Sequence, residues 1–171
     1  PDVDLRLSST LRGVDVNLPA PFGKSKGETR PLKVTVTRLA HPDRLMHIRY
    51  DDVIRGVMAV EFKQPAPELQ RGQLVLGTTE AVLPDASMFG ITGRLARFSL
   101  AEWLPVLAGM QGGGGPPVKV DLDIDELEVM RHVLRDTGLQ VETAGLVQEI
   151  TLTGDSARGT IELSRTSRGI E

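Results

Sequence analysis

Residues 118 to 125 read VKVDLDID. Val118, Val120, Leu122 and Ile124 alternate with Lys119, Asp121, Asp123 and Asp125. Successive side chains of a strand point to opposite faces, so this octapeptide predicts a strand with one aliphatic and one wet face. The same period of two recurs along most of the chain. Towards the N-terminus it appears at Val14, Val16 and Leu18, at Leu32, Val34 and Val36, and at Met46, Ile48 and Tyr50. Met58, Val60 and Phe62 follow, then Leu74 and Leu76. Towards the C-terminus it returns at Leu139 and Val141, Ile150 and Leu152, and Ile161 and Leu163. This succession predicts a mainly β fold: a curved antiparallel sheet forming an open, taco-like groove. Glycines at Arg12-Gly13, Arg55-Gly56, Arg71-Gly72, Thr92-Gly93 and Arg158-Gly159 fall at or inside these segments. They are read either as bends that curl the sheet or as incidental turn residues.

One segment departs from the alternation. Ser99-Leu100-Ala101-Glu102 has the form of a capping box, and Leu100, Trp103, Leu104 and Leu107 follow at helical spacing. A short helix near residues 99–109 is expected, stopped at Gly109 and shortened or kinked by Pro105. Its apolar side, with the single tryptophan, should lie on the sheet. Gln111 to Pro117 holds four glycines and two prolines and reads as a flexible connection. The expected organisation is therefore a β segment over 1–110 ending in the helix, a linker over 111–117, and further strands of the same groove over 118–171. Between Asp125 and Asp136, Leu127, Met130 and Leu134 would suit a helix, but the flanking alternation favours a hairpin.

Composition excludes several functions. The net charge of −3, with no basic stripe interleaved with aromatics, argues against nucleic-acid binding. Cysteine is absent, which removes disulfides and thiolate metal sites. Beginning at Pro1, the chain is expected to be a slice of a longer protein, with any membrane anchor outside it. His41, His47 and His132 show no metal-ligand spacing. Asp121, Asp123, Asp125, Glu126 and Glu128 resemble a calcium loop, but its sixth position needs glycine and holds Glu126. They read instead as the wet side of a strand. Gly23-Lys24-Ser25 suggests a phosphate loop, yet Leu18 stands where the first glycine belongs, and Pro19 and Pro21 remove two backbone donors. A turn between strands accounts for it. No catalytic residue, metal site or cofactor is expected, and the chain is read as a non-enzyme.

A broad sheet cannot leave an aliphatic face in water. It packs on a second layer, closes into a barrel, or holds an apolar ligand. Strands of eight to ten residues give a wall on the order of 30 Å. Each methylene gains about 0.8 kcal/mol on leaving water, so a lipid with two chains of about sixteen carbons faces on the order of 25 kcal/mol to cross water unshielded. A smooth aliphatic trough removes most of that barrier.

Two stretches carry a family resemblance. Leu11-Arg12-Gly13-Val14-Asp15-Val16-Asn17-Leu18-Pro19-Ala20-Pro21-Phe22-Gly23-Lys24 resembles a signature of the YhdP family of AsmA-like proteins. Leu83-Pro84-Asp85-Ala86, Gly90-Ile91-Thr92-Gly93-Arg94-Leu95 and Ser99-Leu100-Ala101-Glu102-Trp103 are similar to a second segment of that family, and Leu152-Thr153-Gly154 and Gly159-Thr160-Ile161-Glu162 to the strands that follow. The resemblance implies a large Gram-negative envelope protein, anchored in the inner membrane and extending through the periplasm. It also implies a long β groove moving phospholipids toward the outer membrane, alongside TamB and YdbH, and no catalytic residues.

The alternating aliphatic residues named above, Val14 through Leu163, are thus the candidate groove lining, with acyl chains and neighbouring groove segments as partners. Val36 and Val60 are expected to be open to a ligand, with Thr35 and Glu61 on the other face. The alternative is a non-catalytic β scaffold that recruits other envelope proteins and binds no lipid. Either way, unpaired edge strands should favour edge-to-edge association.

Overall fold

The computed structural model describes residues 4–41, 43–63, 66–109, 115–144, 147–155, 157–166 and 169–170. The alternating segments become strands: β1 (Leu5–Ser9), β2 (Leu32–Thr37), β3 (Asp43–Tyr50), β4 (Ile54–Phe62) and β5 (Pro67–Leu76). Then come β6 (Phe89–Ser99), the helix α1 (Leu100–Gly109), β7 (Val118–Val129) and β8 (His132–Ala144). The chain continues through β9 (Val147–Thr153), β10 (Arg158–Thr166) and the two-residue β11 (Gly169–Ile170). Spatial order equals chain order, and β11 pairs with the end of β10. The sheet is not closed into a barrel; β1 and the β10–β11 end lie at its opposite sides.

The sheet is mixed, not wholly antiparallel as expected. β1 to β5 form one antiparallel meander and β7 to β10 another, but β6 runs parallel to both β5 and β7. Parallel neighbours need a crossover of a dozen or so residues, and two segments supply it. Residues 77–88 carry the chain from β5 to β6. The helix and the glycine-proline stretch carry it from β6 to β7. Ten register pairs, from Phe89–Val118 to Ser99–Glu128, join the strands on either side of that stretch, so the sheet continues across it. Residues 111–114 themselves lie outside the described residues.

The helix occupies the expected place, with Pro105 inside it, and starts directly where β6 ends at the buried Ser99. Glu102 in its first turn faces Arg97 of β6 at 3.5 Å. Trp103 stacks on Phe98 with ring centroids 5.6 Å apart and planes 10° apart. The side chains of Leu104 and Leu107 lie outside the described residues. Asp125 to Asp136 is a hairpin: β7 and β8 meet at Met130-Arg131, both with positive φ, and Leu127 pairs with Leu134.

The glycines divide into different roles. Gly93, at φ +137°, has backbone that L side chains rarely adopt, and a Cβ there would lie 2.4 Å from the Leu76 carbonyl oxygen. Gly72 lies under its neighbours instead: a Cβ would meet Met58 Cγ at 2.8 Å and the Val57 carbonyl oxygen at 2.9 Å. The β4–β5 register shift falls at Ala59/Val60 and not at a glycine.

Candidate functional site

Following the register across the sheet assembles the candidate residues into rows. One row runs Leu7, Val34, Ile48, Gly56, Leu74, Ile91, Val120, Val141, Ile150, Ile161, one residue from each of β1 to β10. Paired residues share a face, so every side chain in this row is aliphatic, save the glycine. At about 4.8 Å per strand the row spans on the order of 40 Å. To one side lies the row Leu5, Val36, Met46, Met58, Gly72, Phe89, Val118. To the other lies Leu32, Tyr50, Ile54, Leu76, Gly93, Leu122, Leu139, Leu152. Ile124 and Leu95 extend the same face beyond it.

The expected lining residues on β2, β3, β4, β5, β7, β8, β9 and β10 are thus brought to one face. The side chain of Leu163 lies outside the described residues. Val14, Val16 and Leu18 depart from the expectation: they form no strand. They lie in the connection 10–31 between β1 and β2, where β pairing is limited to one isolated bridge, Val16–Lys24. The cause is Lys24, only 6% exposed, whose ammonium donates to the carbonyls of Leu11 (2.8 Å), Val14 and Ser25 (2.9 Å). The lysine of Gly23-Lys24-Ser25 therefore staples its own loop. With its three donors aimed at backbone carbonyls, it has none directed to a phosphate.

This stapled loop lays Phe22 over the far end of the aliphatic face. Phe22 is 4% exposed and forms the core with Leu95, Leu122, Ile124 and Leu127; Leu18 and Trp103 pack against it. Tyr50 Oη donates to the Phe22 carbonyl oxygen at 2.9 Å, fixing the loop to β3. The face is therefore covered at the row of Leu122 and beyond. In the row of Leu7 it is different: Val34, Ile48, Leu74, Ile91, Val120, Val141 and Ile150 are half-exposed, and Leu7 and Ile161 are each 52% exposed. Val36 and Val60 do not fit the open-surface expectation, being 7% and 8% exposed. Buried side chains at these points are ordinary core.

The opposite face is wet across β6 to β8, as the alternation predicts, but on β4 and β5 it buries Val57, Ala59 and Val75. Arg94 pairs with Asp125 and Arg97 with Glu128 across β6–β7, and Lys119 pairs with Glu142 across β7–β8. Hydrogen bonds to these carboxylates raise the pKa of Lys119 and of both arginines. The 77–88 crossover lies on this face, tied by Arg71 to the carbonyls of Pro84 and Asp85 and by Gln73 to the Val82 amide. A depression beneath it is lined by Gln73, Thr79, Glu80, Arg94, Asp121 and Asp123, and its charged side chains are all exposed. Among the described residues no group of three or more His, Asp or Glu could hold a metal ion.

Sequence reasoning missed Leu5 and Leu7 of β1, Phe89 and Ile91 of β6, and the covering role of Phe22. Leu5-Arg6-Leu7 does alternate, but over too few residues to stand out. The glycines flanking Ile91 hid the alternation of β6.

With this geometry in place, the family model described as YhdP protein matches residues 1–170. The chain belongs to the YhdP family. No curated protein and no solved structure matches it. YhdP membership points to an AsmA-like envelope protein. Among the described residues no helix is long and apolar enough to cross a membrane. The stretch Leu11 to Lys24, within the matched residues, lies in the stapled loop that covers one end of the face.

Proposed function

We propose that the aliphatic face is a segment of a hydrophobic groove that carries phospholipids between the inner and outer membranes. In this reading the chain works in the periplasm, within a longer protein anchored in the inner membrane of a Gram-negative bacterium, and neighbouring segments continue the groove. One observation carries the proposal: the ten-strand row from Leu7 to Ile161 is aliphatic save for the buried Gly56, exposed at both ends and partly exposed between them. A surface of this kind favours acyl chains because each methylene it shelters gains about 0.8 kcal/mol, and it offers no fixed polar partner that would demand one lipid. A second reading, a non-catalytic scaffold that recruits envelope partners, draws on the covered end at Phe22 and Trp103.

Native mass spectrometry of the purified chain separates the two. A conduit segment carries heterogeneous lipid or detergent adducts released by mild activation. A scaffold gives a single bare mass, and that result would overturn the transport reading.

A further inference from the structure

The two ends of the aliphatic strands differ. At one end Phe22 and Trp103 close the face. At the other, where β3 begins and β4 ends, no aromatic pair caps the strands among the described residues; Val36 and Val60 are buried there among their neighbours, and the register places Arg44 on the aliphatic side at the rim. Arg44 pairs with Val60 and precedes Met46 and Ile48 by two and four residues, so it shares their face. Within β2 to β9 it is the one charged residue that the register puts on that face. Asp43 and Glu61 pair with each other in register and so fall on the wet face, where Glu61 meets Lys63 at 2.9 Å. Among the described residues no carboxylate pairs with Arg44.

Its guanidinium is held in place nonetheless. The Nε donates to the Leu39 carbonyl oxygen at 3.1 Å, and the plane lies over the Phe62 ring, 4.3 Å from its centroid. Both contacts orient the group without neutralising it, and they leave the two terminal nitrogens as donors. A planar fork of this kind suits a phosphate better than a point charge does. Two residues along a strand put Arg44 about 7 Å from the row of Met46 and Met58. A diacyl phospholipid has the matching layout, an anion joined through glycerol and two esters to two apolar tails.

We infer that Arg44 takes the phosphate of a diacyl phospholipid at this rim, with the acyl chains on the partly exposed aliphatic rows beside it. The inference rests on the lipid reading above and adds to it a headgroup subsite. It makes the covered end the tail side and the Arg44 end the side from which headgroups project into water.

Calorimetric titration of the whole chain tests it with three probes. Dihexanoyl phosphatidic acid has phosphate and tails, dihexanoylglycerol has tails alone, and inorganic phosphate has neither tail. The wild-type chain is expected to bind the phosphatidic acid on the order of tenfold tighter than the diacylglycerol, as a hydrogen-bonded charge contact provides. Arg44→Gln should bring the two affinities together, Arg44→Lys should retain part of the difference, and excess inorganic phosphate should not compete. Equal affinities in the wild-type chain, an undiminished preference in Arg44→Gln, or displacement by inorganic phosphate would each overturn the subsite and leave the groove reading standing. Failure of the wild-type chain to bind either diacyl compound would overturn the groove reading and the subsite together.

Discussion

Phe22 and Trp103 meet edge to face, with ring centroids 5.6 Å apart and planes at 79°. The contact joins the connection 10–31 to α1, two segments distant in sequence that cover the same end of the aliphatic face. Removing the nearly buried Phe22 ring leaves a void that the stapled loop cannot collapse around. Phe22→Ala should cost about 3 kcal/mol in denaturant unfolding. Trp103 is the only tryptophan, so its emission should also shift to longer wavelength as water reaches the ring.

Lys24 gives a second prediction. Lys24→Met keeps the length of the side chain but strips the donors from three carbonyls at once. The expected cost is about 2 kcal/mol, because partly buried acceptors lose their partner. Hydrogen exchange should show lost protection confined to residues 10–31. Nucleotide affinity, measured by equilibrium dialysis with ATP, should be absent in both wild type and variant; a measurable wild-type affinity lost in Lys24→Met would restore the phosphate-loop reading.

How much of this was legible in the sequence depends on what kind of contact sets each feature. The alternation from Val118 to Ile124 records burial on one face, so the strand and its facing could be read directly. The hairpin at Met130-Arg131 could be read for the same reason, since alternation resumes on both sides of it. The direction of β6 could not. Periodicity is blind to whether a neighbour runs parallel, and only the lengths of the 77–88 and α1 crossovers carry that information. Val14 to Leu18 misled because alternation there coincides with a loop whose shape is set by Lys24 reaching back ten and thirteen residues. The register puts the strand members of the alternation on one face, but Val36 and Val60 are closed off by neighbours that no single segment reveals.

The wet face gives a pH prediction. Hydrogen bonds to Glu61 and then Glu68 raise the pKa of Lys63 above its ordinary value, and a hydrogen bond to Glu142 does so for Lys119. A base whose pKa is raised by folding adds stability that is complete below its unfolded pKa and is lost as pH rises through the folded one. The loss should therefore begin near pH 10.5, the ordinary lysine value, and continue above it. Both lysines are exposed, so the effect should be small and screened by salt. Replacing both by arginine, which keeps its proton there, should flatten the alkaline limb of a melting-temperature profile at low salt.

β1 is an edge strand whose five residues are all exposed, and Leu5 and Leu7 are its apolar members. Such an edge pairs with another unless a charge opposes it. Sedimentation velocity over a wide concentration range should show self-association of the wild-type chain, reduced in Leu7→Lys. A wild-type chain that stays monomeric throughout would show that β1 is not an adhesive edge.

The central claim is that acyl chains occupy the face bearing the Leu7 to Ile161 row. Photo-crosslinking residues placed at Ile48 and Val141, and at their sequence neighbours His47 and Gln140 on the other face, test it within single strands. The account predicts phospholipid adducts at Ile48 and Val141 and none at His47 and Gln140. Equal labelling on both faces, or no lipid captured at Ile48 and Val141, would contradict it.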